Sequence, residues 1–234
     1  MNNSIAQFKF PYRMVHDVFI VGSGTSLVGF DYQRLARVIS IALNDAVKHF
    51  LPNWHIFSDN NLAKRYLDMD PWPELKVVTQ KAGRDALIKG KHWRDRADRV
   101  YTFNRVGKID KMLAPEDFYV NRTVATGAIC LARLLGARRI YLLGIDAYCR
   151  PDRYYCDRED GKPVKQYPTE VRPDGRLVQV KRHGEWVKEM QALKDWLVAR
   201  GECTGKHPAP GVYNLSEFSE VTAWDKVPID EVLP

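Results

Sequence analysis

Nowhere in these 234 residues is there an unbroken apolar run long enough to cross a bilayer, which argues against a helical membrane protein. The opening M-N-N-S-I-A-Q-F-K-F-P-Y-R also lacks the apolar stretch of a secretory signal. Cysteine is scarce: Cys130, Cys149, Cys156 and Cys203 form neither a C-x-x-C pair nor a Cys/His metal array. That excludes a disulfide scaffold and a zinc site, and leads us to expect a reduced, cytoplasmic setting. There is no internal repeat and no low-complexity segment. What remains is a globular chain, 45% hydrophobic and 11% aromatic, long enough for one domain spanning 1–234. Its net charge of +7 suggests an anionic partner: a phosphorylated ligand, a polyanionic acceptor, nucleic acid or a membrane surface.

The stretch Asp17 to Leu27, D-V-F-I-V-G-S-G-T-S-L, is a short β-branched and aromatic run closed by glycines and hydroxyls. It reads as a buried strand feeding a loop, with Gly22 and Gly24 letting backbone come close to a ligand. A dinucleotide fingerprint would need a third glycine and a P-loop would need Gly-Lys-Ser/Thr, and neither is present. Strand-to-turn punctuation with no ligand is the competing reading.

Further along, D-Y-Q-R-L-A-R reads as a short helix, V-I-S-I-A-L as a strand ending in Asn44-Asp45, and N-W-H-I-F-S as a strand ending in Asp59-Asn60. Polar strand ends suit the ligand crevice of an open parallel sheet, although Asn and Asp also cap helices and turns for local reasons. L-K-V-V-T-Q and D-R-V-Y-T-F-N give two more strands. Between them lie Asp68-Met69-Asp70, at a predicted helix end where two solvated carboxylates are the simpler reading than a metal, and a basic run from Lys81 to Arg99. N-R-T-V-A-T-G-A-I-C-L-A-R-L-L-G reads as a buried helix, and R-R-I-Y-L-L-G-I-D-A-Y as a strand ending at Gly144 and Asp146. The polar, Pro/Gly-punctuated region 149–182 reads as a lid or small insertion. The last long helix is expected from His183, with Trp186, Met190, Leu193 and Leu197 as its core stripe; G-V-Y-N-L-S-E then gives a final strand. This helix-strand rhythm predicts an α/β fold, a Rossmann-like α/β/α sandwich with a mostly parallel central sheet.

Several of these motifs, in this order, resemble the bacterial CMP-sialic-acid-dependent sialyltransferases of the metal-independent, Rossmann-like (GT-A-like) type and their phage and bacterial relatives. They are G-S-G-T-S-L at Gly22, asparagines at Asn44 and Asn60, Arg122 before A-T-G at Ala125 to Gly127, G-I-D-A-Y at Gly144 to Tyr148, then Tyr154, Asp157 and His183. The match covers most of the chain and is weakest between Asp68 and Asp98. The resemblance implies a sugar transferase that uses a nucleotide-activated donor, CMP-linked in kind, with no metal and no other cofactor. It implies nucleotide binding by Gly22, Ser23, Gly24, Thr25, Ser26, Asn44, Asn60, Thr126, Gly127, Gly144 and Asp146. Catalysis would fall to Tyr148 and Tyr154 on the leaving phosphate, Arg122, and His183 as general base. The chain departs from the pattern at Ser23, where the family has asparagine, at Thr25, where it has proline, and at Asp45-Ala46, where it has glutamine and an aromatic residue. Sialic acid as the sugar is thereby put in question.

Other readings stay open on the residues alone. The acceptor is a glycan or, given the basic run, a nucleic acid; the chain is instead a pterin-type pyrophosphokinase; or it is a catalytically silent nucleotide-binding protein. Peripheral membrane association and homo-oligomerisation are both compatible with the charge and length.

Overall fold

A computed structural model describes residues 3–5, 16–59, 62, 66, 75–79, 97–152, 168–201 and 211–233. The strands are β1 (Asn3–Ser4), β2 (Asp17–Val21), β3 (Ile39–Leu43), β4 (Trp54–Phe57), β5 (Leu75–Thr79), β6 (Val100–Val106), β7 (Asp117–Tyr119), β8 (Arg139–Leu143), β9 (Thr169–Val171), β10 (Leu177–Gln179), β11 (Gly211–Asn214) and β12 (Asp225–Lys226). The α-helices are α1 (Val124–Leu134), α2 (Val180–Ala199) and α3 (Ile229–Val232). Ten strands form one sheet in the order β1-β6-β5-β4-β3-β2-β8-β11-β12, with β7 added beside β6, and every pair is parallel. From β2 the chain steps outward through β3, β4, β5 and β6, then crosses to β8 on the other side of β2. The strand order therefore reverses between β2 and β8, which places a crevice at their carboxyl ends.

Alternation along the strands divides the apolar residues between two faces. Val18, Ile20, Ile41, Ile56 and Val77 pack with α1 and α2 in one core layer. Phe19, Val21, Ala42, Phe57 and Val78 form the other. Among the described residues that second face is covered by 3-10 segments at Tyr32–Arg37 and Asn44–Lys48 and by the short α3, not by long helices. Each fully buried Ile or Leu in these layers contributes about 1.5–3 kcal/mol.

Helix α1 is buried over Val124–Ala132, so it is the central element of its layer. Thr123 starts it by accepting the Ala125 N–H on Oγ1 at 3.2 Å. Gly136, at φ +76, stops it in the left-handed conformation that spares glycine a steric cost. Helix α2 begins at Val180, three residues before the expected start at His183. Gln179 at its N-cap has no side-chain cap bond, so the sequence carries no capping signal there. In the 149–182 region, β9 and β10 make an antiparallel hairpin, and backbone bonds between Cys149 and Leu177 (2.9 and 2.8 Å) tie it to the end of β8. No helix among the described residues is long and apolar enough to cross a membrane.

Candidate active site

The crevice floor is made where the loops after β2 and β8 interlock. Gly22 N–H donates to Leu143 O at 2.8 Å and Gly24 N–H to Gly144 O at 2.9 Å. Asp146 then takes both groups of Ser26, the backbone N–H on Oδ2 at 2.7 Å and the hydroxyl on Oδ1 at 2.6 Å. A Cβ on Gly22 would collide with the Gly144 carbonyl, and one on Gly24 with the Asp146 carboxylate. These glycines are thus required by the contact of loop with loop, and their N–H groups are used within the floor. Burial raises the Asp146 pKa, opposed by its hydrogen bonds from Ser26.

Above this floor is a cavity of about 910 Å³. Gly22, Ser23, Gly24, Asn44, Arg122, Gly144, Asp146, Tyr148 and His183 all line it, so nine of the expected residues, spread from β2 to α2, share one cleft. Ser23 Oγ is buried there with no hydrogen-bond partner among the described residues, a state a bound polar ligand would relieve. Four expected residues do not line the cavity. Ser26 is spent on Asp146. Thr25 lies in a second pocket of about 630 Å³ that shares Tyr148 and includes Arg176 and Phe218. Thr126 is fully buried, its hydroxyl directed to Thr123 O at 3.0 Å and Glu189 Oε1 at 2.9 Å. Gly127 is where α1 passes Val120: a Cβ would come within 2.6 Å of Val120 Cγ2. Asn60 and Tyr154 lie outside the described residues, as do Asp68, Asp70 and Asp157.

Tyr148 is buried at the cavity wall with the Arg176 guanidinium 4.8 Å from its ring centre. Burial, and then the Asp146 carboxylate, push its phenol up to about 12, so it keeps its proton at neutral pH. His183, which in sequence alone could be an exposed helix-start residue, is 1% exposed in the first turn of α2. Burial, reinforced by the Arg182 charge, lowers it to about 4, so the ring is neutral at neutral pH. Its Nδ1 accepts the Gln179 N–H at 3.1 Å, which puts the hydrogen of the neutral ring on Nε2.

Two residues outside the sequence expectation organise the Arg122 side of the cavity. Arg105, at the end of β6, lines it and donates to Val120 O at 2.8 Å and Asn121 O at 2.7 Å. Glu189 of α2, 3% exposed, accepts the N–H groups of Asn121 at 2.9 Å and Arg122 at 2.6 Å. The backbone leading to Arg122 is therefore held by a cation on its carbonyls and a carboxylate on its amides. The Arg122 side chain pairs with Glu185 at 3.2 Å. The sequence does carry a signal for Glu189: it sits three residues after Trp186 and four before Leu193, a carboxylate on the apolar stripe of α2. Arg182, Asp45, Ser58, Asp59, Thr79 and Thr123 add to the polar lining. Among the described residues no three His, Cys, Asp or Glu side chains are grouped so as to hold a metal ion.

No protein-family model and no curated sequence matches the chain. Among solved structures it is similar to the monofunctional alpha-2,3-sialyltransferase Cst-I from Campylobacter jejuni, with 15% identity and a TM-score of 0.50 over 94% of this chain and 82% of that one. It is also similar to the sialyltransferase CstII from Campylobacter jejuni in complex with the substrate analogue cytidine-5'-monophosphate, with 15% identity and a TM-score of 0.50 over 92% of this chain and 86% of that one. The chain has the fold of these sialyltransferases.

Proposed function

We propose that the chain is a metal-independent glycosyltransferase that moves a sugar from a CMP-linked donor to an acceptor hydroxyl. The observation that carries the reading is the single cleft at the sheet's switch point, lined together by Ser23, Asn44, Arg122, Tyr148 and His183. The fold it shares with a sialyltransferase solved with cytidine-5'-monophosphate supports a cytidine nucleotide in that cleft. Ser23 and Asn44 bind the nucleotide, and the Arg105, Arg122 and Arg182 guanidiniums attract its anionic groups.

In the transfer, the bond from the sugar's anomeric carbon to the phosphate oxygen breaks and its electron pair goes to the phosphate. The acceptor oxygen forms the new bond as it loses its proton. Tyr148, kept protonated by its raised pKa, donates a hydrogen bond to the phosphate as charge grows there. His183 takes the acceptor proton. Its lowered pKa keeps it in the basic form but makes it a weak base. Base action at Nε2 further requires the ring to move its hydrogen to Nδ1, and so to give up the Gln179 N–H bond.

The test is incubation of the purified protein with a panel of CMP-, UDP- and GDP-sugars, with and without EDTA, followed by mass spectrometry of released nucleotide and candidate acceptors. The expected result is CMP release from one CMP-sugar, unchanged by EDTA. Absence of binding and turnover with every cytidine nucleotide overturns the reading, and loss of turnover in EDTA overturns its metal independence.

A further inference from the structure

Beneath Asn44 lies a buried polar chain that the transfer reaction does not use. Ala42, His55 and Lys76 are register partners across β3, β4 and β5, and both polar residues are 0% exposed. Ala42 is small, and the His55 ring extends past it toward the end of β3. There its Nε2 lies 2.9 Å from Asn44 O, while its Nδ1 lies 3.0 Å from Lys76 Nζ. A carbonyl only accepts, so Nε2 carries the hydrogen, Nδ1 accepts, and Lys76 donates. Burial first, and the Lys76 charge second, hold His55 well below its usual pKa, so the ring stays neutral and keeps this one direction of bonding. Burial likewise brings Lys76 down to about 7, and a lysine can donate in either protonation state.

The residue at the end of this chain is in an unusual state. Asn44 has φ +49, one of two non-glycine residues with positive φ among those described, and it lines the cavity. The left-handed region costs a non-glycine residue about 1 kcal/mol or more, least for Asn and Asp, and persists where surroundings hold it. The next residue is gripped from the same side: Tyr66 donates its hydroxyl to Asp45 Oδ1 at 2.9 Å, and its ring packs edge-on against His55. A buried lysine and histidine are costly to retain in a core where apolar side chains would pack as well. The chain of bonds from Lys76 through His55 ends on the backbone of one cavity residue, Asn44.

We propose that His55 and Lys76 are positioning residues for the donor nucleotide: they hold Asn44 in its left-handed conformation so that its side chain meets the cytidine monophosphate. This rests on the nucleotide reading above.

Calorimetric titration of CMP tests it with His55→Phe, His55→Gln, Lys76→Met, Asn44→Gly and the double variant His55→Phe/Asn44→Gly. Glycine keeps the left-handed backbone accessible while removing the side chain to be positioned. His55→Phe and Asn44→Gly are each expected to weaken CMP about tenfold, the contribution of one well-made hydrogen bond. The double variant is expected to bind no more weakly than Asn44→Gly alone, because nothing then remains to be positioned. His55→Gln, which restores an N–H donor toward Asn44 O, is expected to regain most of the affinity, and Lys76→Met to shift in the same direction as His55→Phe. If His55→Phe fails to fold, comparing Lys76→Met with His55→Gln decides the same point. CMP binding to His55→Phe at the wild-type affinity, or losses that multiply in the double variant, overturn the positioning role alone. Failure of the wild-type protein to bind CMP overturns the nucleotide reading and this inference with it.

Discussion

Replacing Glu189 by leucine removes the carboxylate that holds the backbone before Arg122. Three donors lose their acceptor: Asn121 N at 2.9 Å, Arg122 N at 2.6 Å and Thr126 Oγ1 at 2.9 Å. Thr126 keeps its bond to Thr123 O, so its loss is small. The two amides belong to exposed residues, and water can reach them once the turn loosens. The net contribution of hydrogen bonds to a charged acceptor therefore applies, about 1.5 kcal/mol each at the low end and about 3 kcal/mol in all. Exchanging a buried charge for a hydrocarbon can be harmless when its partners are exchanged too, but here the donors stay behind. For a chain of this size about 3 kcal/mol lowers Tm by roughly 6–12 °C. Glu189→Gln keeps the shape but turns an NH₂ toward one of the two amides, and is expected to cost about 1–2 kcal/mol. Urea unfolding followed by fluorescence and circular dichroism measures both, and CMP-sugar turnover reports on Arg122. A Glu189→Leu protein within about 0.5 kcal/mol of wild type, the range of an ordinary surface change, would refute the bracket.

Three further outcomes are expected. Gly24→Ala forces a methyl against the Asp146 carboxylate and the Gly144 carbonyl and should destabilise the fold by about 1–3 kcal/mol with loss of nucleotide binding; Gly29→Ala, at φ +80 with open space around it, should cost only about 1 kcal/mol and leave binding intact. Equal effects at the two sites in thermal and calorimetric scans would contradict the interlocked floor. His183, at about 4 when folded against its ordinary 6.5, leaves the unfolded chain binding the extra proton between these values. Its stabilisation is therefore complete above pH 6.5 and is lost as pH falls toward 4, a slope that should flatten in His183→Gln. If His183 is the base, kcat/KM should hold down to about pH 4; an acid limb near 6.5, the ordinary histidine value, would show that burial does not lower the base in this way.

The strands β2 and β8 are legible in the sequence because each is a run of large apolar and β-branched residues ended by glycine, a pattern with few alternatives. So is the gathering of Gly22, Asn44, Gly144 and Asp146, since parallel strands deliver their carboxyl ends to one edge. The strands β1, β7 and β12 are two or three residues long, too short for periodicity to show. The start of α2 is hidden because its capping runs backward, from the His183 ring to the Gln179 amide, and no Ser, Thr, Asp or Asn marks it. Thr126 is placed at the nucleotide by the family resemblance alone. Its partner Glu189 is 63 residues away, and no local pattern connects the two.

The interlocked loops at the floor have a consequence for how such a chain can drift. Their joint is made by main-chain amides and carbonyls together with the Ser26–Asp146 pair. Main chain is common to all residues, so away from Gly22, Gly24, Ser26, Gly144 and Asp146 a substitution removes none of these bonds. Lining side chains such as Asn44, Asp45 and Arg122 can therefore change without moving the two loops, and the cleft stays in place.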